Sequence, residues 1–193
     1  VPYKLASFGM ALCAASLLFF AAIREETSII LVIAALAVAG TGIAFFSSPM
    51  QLEVAHRRFQ GWRDALLRYN IPVEDSLIVT CDTRAQAIIE TPNILKAPTK
   101  PDAIFCVNDD CASGVLYAAQ ILGFNIPSDL AICGFSDAPL CRNTSPMLTT
   151  VEQHGVEIGR HAMYRLLKRL EGDERIAQTE MIPTDLIVRE TTK

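Results

Sequence analysis

The chain has 193 residues and a formal net charge of −4, which is long enough for one ordinary domain with a real core plus an appendage. The acidic balance argues against a surface built to neutralise phosphates, because a nucleic-acid-binding domain normally presents a basic face. Charge is also unevenly placed: the charged side chains among residues 1–50 are Lys4, Arg24, Glu25 and Glu26, so two physically different segments meet near position 48.

Leu5 to Ile23 carries no charge and neither does Ser28 to Ser48, with Arg24-Glu25-Glu26-Thr27 between them. Each run can cross a hydrocarbon layer of about 30 Å at about 1.5 Å per residue. The sequence therefore predicts an α-helical, transmembrane-like hairpin over residues 1–48, with the membrane as a partner through residues 5–48. A secretory leader fits less well, since a second apolar run follows where a cleavage site would stand. The competing reading is a pair of buried core helices. The stretch Ala39-Gly40-Thr41-Gly42-Ile43-Ala44-Phe45-Phe46-Ser47-Ser48-Pro49 is similar to the end of one span in drug exporters of the major facilitator superfamily. Neither run contains an acid, arginine or histidine to carry a proton or substrate, and two spans out of that family's dozen or so cannot form a translocation path. Lys4 before the hairpin and Arg57, Arg58 and Arg63 after it would leave both ends in the cytoplasm.

After position 48 the pattern changes. Ser48-Pro49-Met50-Gln51 signals a helix start, and Leu52, Ala55, Phe59, Trp62, Leu66 and Tyr69 then share one helical face as far as Asn70. Ser76 to Thr80 is a short β-rich run. Thr83 to Lys96 is helical, with a break expected near Pro92. Asp102 to Val107 is apolar almost throughout, as a strand covered on both faces should be. Asp109 to Gly123 has helical spacing and stops at glycine, and Leu130 to Phe135 is a further apolar strand. Strand, helix, strand, helix, strand implies a parallel sheet with right-handed crossovers, whose ligands bind at the carboxyl ends of the strands. Those ends carry Cys81-Asp82, Asn108-Asp109 and Ser136-Asp137. Polar residues recurring along one sheet edge are the strongest functional signal in the residues themselves.

Arg58-Phe59-Gln60-Gly61-Trp62, Pro101 to Asp109, Gly123 to Leu130, Gly134-Phe135-Ser136-Asp137 and Pro146 to Val151 occur in the order and at the spacing seen in LacI/GalR transcriptional regulators, and Met181 to Thr192 resembles their closing strand. The resemblance covers residues 49–193. It implies an α/β periplasmic-binding-protein-like fold in which two lobes close on a sugar, with DNA bound through a separate head and a homodimer allowed. Only one lobe is expected here, an incomplete two-lobed fold with Gln153 to Glu171 as a remnant of the other. Neither the helix-turn-helix head nor the hinge helix is expected, and the opening Val1 suits a fragment.

For the site, the resemblance makes Arg58 the guanidinium that grips hydroxyls or a carboxylate, against its plain reading as a solvated residue beside His56 and Arg57. Asn108 would offer an amide to a hydroxyl, or cap the following helix, or do both. Asp109 is expected as the helix cap. The family usually has an acid directly after Gly-Phe, where this chain has Ser136 and places Asp137 one position later. That change weakens the usual sugar contact and points to a sugar acid as an alternative ligand.

No Gly-x-Ser-x-Gly elbow, Walker loop or metal-ligand spacing is present, so the expectation is a non-enzyme without cofactor or metal. The six cysteines form no CxxC pair, and are expected as reduced core thiols in a reducing compartment. Residues 49–193 are thus read as the cytoplasmic ligand-sensing portion of a regulator, tethered to a membrane if the hairpin is real. The alternatives are a membrane transport component and an artefactual join with no function of its own.

Overall fold

The computed structural model describes residues 42–173, 175 and 180–192. Four parallel strands form one sheet in the order β2-β1-β3-β4: β1 (Ile43–Ser47), β2 (Ile78–Thr80), β3 (Ala103–Cys106) and β4 (Ala131–Cys133). The three strands expected from the sequence are all there and all parallel, as right-handed crossovers require. The fourth, β1, falls where the sequence predicts the end of a membrane-spanning helix, and that expectation is corrected. Every residue of β1 is buried, pairing with β2 on one side and β3 on the other. Its residues alternate between two cores, as strand geometry dictates: Ile43 and Phe45 face one, Ala44 and Phe46 the other. A strand covered on both faces is continuously apolar, and here it continues an apolar run already in progress, which periodicity alone cannot distinguish from helix. Among the described residues no helix is long and apolar enough to cross a membrane. The rest of the expected hairpin, residues 1–41, lies outside the described residues.

Helices cover both faces of the sheet. Helix α1 (Glu53–Arg68) lays Ala55, Trp62, Ala65 and Leu66 on the first face, where Trp62 stacks on Phe45 with ring centroids 5.6 Å apart and Phe45 stacks on Phe105 at 5.7 Å. The helix begins at Glu53 with Leu52 as its first flanking residue, later than Ser48-Pro49 suggests. Residues 49–52 form a turn instead, closed by Leu52 N–H donating to the Pro49 carbonyl at 3.0 Å.

On the other face lie α2 (Arg84–Leu95) and α3 (Asp109–Ile121). Thr83 caps α2 by accepting from Gln86 N–H. Pro92 does not break this helix, because Ala87, Thr91, Ile94 and Leu95 are buried on the same side and hold the turn that contains it. Gly114 lets α3 approach closely: a methyl at this position would overlap the Arg84 carbonyl and sit 2.8 Å from Ala87 Cβ. Helix α3 ends in a Schellman arrangement, with Gly123 at φ +83, Phe124 N–H donating to Ala119 and Gly123 N–H to Gln120.

After β4 the chain leaves the sheet. Strand β5 (Thr150–Glu152) pairs antiparallel with β6 (Asp185–Ile187), and α4 (Gly155–Leu170) lies between them in sequence. No residue of α4 is buried, and Ile158, Leu166 and Leu170 are exposed. They belong to the segment Gln153 to Glu171, which the resemblance assigns to a second lobe.

Candidate functional site

Three side chains from distant parts of the sequence meet at the carboxyl edge of the sheet. From α1, the Arg58 guanidinium lies 4.0 Å from the centre of the Phe135 ring. It donates to the Val107 carbonyl at the end of β3 and, at 3.2 Å, to Gln153 Oε1 just after β5. The Gln153 amide in turn donates to Ser136 Oγ at 2.6 Å. One chain of contacts therefore joins α1, the ends of β3 and β4, and the segment entering α4. Burial lowers the Arg58 pKa from its ordinary value, opposed by the more distant charge of Asp109. Arg58, Phe135 and Gln153 line a cavity of about 500 Å³ together with Val54, Ile158 and Ile182, a size within the usual range for small-molecule sites.

The backbone at this edge is held in an unusual conformation. Ser136 and Asp137 have φ of +127 and +50, which non-glycine residues seldom adopt and which the surrounding contacts must hold in place. Ser136 N–H donates to the Val151 carbonyl at 2.8 Å. Asp137 does not reach the cavity. Its two oxygens accept from Arg142 and Arg189, each at 2.6 Å, so the carboxylate ties the loop to the closing segment. Asn108 is also committed: Oδ1 accepts from Cys111 N–H at 2.8 Å as the cap of α3, and Nδ2 donates to the Asp82 carbonyl at 2.8 Å. Of the four expected ligand contacts the structure brings Arg58 and Ser136 together, and gives Asn108 and Asp137 internal partners.

Asp109 is not the cap but the first residue of α3, and it is buried. Its Oδ1 accepts from the Thr150 hydroxyl and its Oδ2 from Ala138 N–H at 2.8 Å. It thus anchors both the loop carrying Ser136 and the start of β5. Gly134 makes room for it, since a Cβ there would overlap Asp109 Oδ1. Gln153, the bridge of the site, carries no sequence signal: a lone glutamine at a helix entrance reads as solvated. The cysteines are core thiols. Cys81, Cys106, Cys111, Cys133 and Cys141 are free and buried, and burial pushes Cys141 up to about 12. Cys13 lies outside the described residues.

Residues 35–192 match a family described as a periplasmic binding protein-like domain. That match reaches back through β1 and into the second apolar run. The chain is 34% identical over 152 residues to the HTH-type transcriptional repressor CytR of Escherichia coli (strain K12), an alignment covering 78% of this chain and 45% of the repressor. It therefore spans less than half of that relative's length. Among solved structures it resembles a regulatory protein of the LacI family from Chloroflexus aggregans, with a TM-score of 0.78, 30% identity, and coverage of 84% of this chain and 59% of that one. It also resembles a sugar-binding LacI-family regulator from Escherichia coli complexed with phosphate, at a TM-score of 0.75 and 26% identity over 85% of this chain and 59% of the other. These relatives are described as regulators of transcription or regulatory proteins, and the chain belongs to the periplasmic binding protein-like domain family.

Proposed function

We propose that residues 42–192 are the effector-sensing portion of a LacI/GalR-type transcriptional regulator that responds to a sugar or sugar acid. DNA contact is assigned to a helix-turn-helix head outside these residues. The observation carrying this reading is the contact chain Arg58–Gln153–Ser136 beside Phe135, which links the sheet edge to the β5–α4 segment. A small molecule seated there touches the sheet and the crossing strand at once. It can therefore bias their relative position, and a ligand shifts an equilibrium only through such differential contact. One structural relative is a sugar-binding transcriptional regulator of the LacI family, which supports the ligand class.

The test is an NMR titration of the 193-residue chain with a panel of hexoses and their uronic acids, a method that reads affinities in about the millimolar range. Shifts confined to Arg58, Phe135, Ser136 and Gln153 are expected. Perturbation of α2 and α3 with none at these four residues would refute the site.

A further inference from the structure

Charge bookkeeping around the cleft narrows its ligand. Near the cleft, ion pairs join Glu53 to Arg57 at 2.7 Å and place Asp137 between Arg142 and Arg189. Arg189, whose side chain is 10% exposed, thus has its own carboxylate. Arg58 has none. Its partners are a carbonyl, a carboxamide oxygen and an aromatic ring, all neutral. A partly desolvated charge is normally paired, and among the described residues Arg58 has no carboxylate in an ion pair with it. The Glu53–Arg57 pair, which also lines the cavity, is already neutralised within itself.

The hydrogen-bonding capacity points the same way. A guanidinium carries five N–H donors, and the Val107 carbonyl and Gln153 Oε1 take two of them. Ser136 Oγ accepts from Gln153, which leaves the exposed hydroxyl its own hydrogen to donate. Beside Arg58 the polar wall therefore offers donors, and the one carboxylate lining the cavity among the described residues, Glu53, is already held by Arg57. A neutral sugar hydroxyl is both donor and acceptor and gains from a carboxylate opposite it, whereas a carboxylate only accepts and matches the planar guanidinium fork.

Resting on the effector-sensing reading above, we propose that the ligand of this cleft is a small carboxylate anion whose carboxyl group pairs with Arg58 and accepts from Ser136. Its body lies against Phe135, Val54, Ile158 and Ile182.

The experiment titrates the 193-residue chain with galacturonate, galactose and acetate, following the Arg58 Nε–Hε resonance by NMR. Galacturonate is expected to bind about tenfold more tightly than galactose, and acetate alone to move the Arg58 signal. Ser136→Asp places a carboxylate beside Gln153 and Arg58, and should abolish the preference for the acid. Arg58→Gln, which removes the charge, should do the same and serves if the first variant does not fold. Galactose binding as well as galacturonate would overturn the inference while leaving the sugar-sensing reading intact. An acid preference that survives both substitutions would also overturn it, because the attraction would then come from elsewhere. Response to acetate without response to either hexose derivative would uphold the anion site and sink the sugar reading. Silence from all three probes at the cleft residues would end both.

Discussion

Replacing Gly134 with alanine tests whether Asp109 holds the site together. The added methyl overlaps Asp109 Oδ1 and stands 3.2 Å from Asp109 Cα and 3.3 Å from Ala112 Cβ. Comfortable contact between non-bonded heavy atoms begins at about 3.5 Å, so the carboxylate must move by roughly 1 Å. The residue cannot back away, because it is the first of α3 and its helix is packed against the sheet. A shift of that size breaks the bond from the Thr150 hydroxyl and strains the one from Ala138 N–H. Overpacking a core costs about 1–3 kcal/mol, and losing a hydrogen bond to a charged group about 1.5–3 kcal/mol. The expected destabilisation is therefore about 3–5 kcal/mol, a large part of the roughly 5–15 kcal/mol that holds an ordinary domain folded. Urea unfolding followed by the fluorescence of Trp62, the single tryptophan and fully buried, measures it directly. A loss below about 0.5 kcal/mol, the range of an ordinary surface change, would show that Asp109 is not the anchor described.

Gly159→Ala should act oppositely: the position lies within α4 with nothing within 4 Å of an added Cβ, so the helix gains about 1 kcal/mol by the same unfolding measurement. Asn108→Ala removes the cap of α3 and the tether to Asp82, costing about 1 kcal/mol or somewhat more. In an NMR titration it should leave ligand affinity within about twofold, and a larger loss would return Asn108 to the ligand contacts. The five described cysteines are buried and the Cys141 thiol is held un-ionised up to about 12. A disulfide reagent at about pH 8 should therefore label none of them until denaturant is added. Leu166→Lys together with Leu170→Lys alters a face that is already exposed. Stability should stay unchanged while dye binding to apolar surface falls, and a loss of stability would mean that this face is covered.

Much of the lobe is legible in the sequence, for reasons that are local. Strands β2, β3 and β4 are short apolar runs bounded by turns, and α3 announces its stop at Gly123, although its cap is Asn108 and not Asp109 as expected. Ser136 stands out because it follows a strand end, where a parallel sheet gathers its ligands, whereas Arg58, inside α1, stands out only through the resemblance carried by Arg58-Phe59-Gln60-Gly61-Trp62. What the sequence could not settle depends on neighbours far along the chain. Strand β1 reads as the tail of a hydrophobic span because its apolar character comes from burial on both faces, and only β2 and β3 on either side of it reveal the strand. Pro92 reads as a break, yet buried residues one helical turn apart hold α2 together around it. Asn108, Asp109 and Asp137 carry the right chemistry for a ligand, but tertiary structure gives each of them a protein partner first. Gln153 has no signal at all in sequence, and acquires its place only when folding brings β5 to the edge where Arg58 and Ser136 already wait. Local pattern determines the elements, whereas pairing decides which polar groups remain available, because each donor or acceptor is assigned by whatever the fold sets beside it.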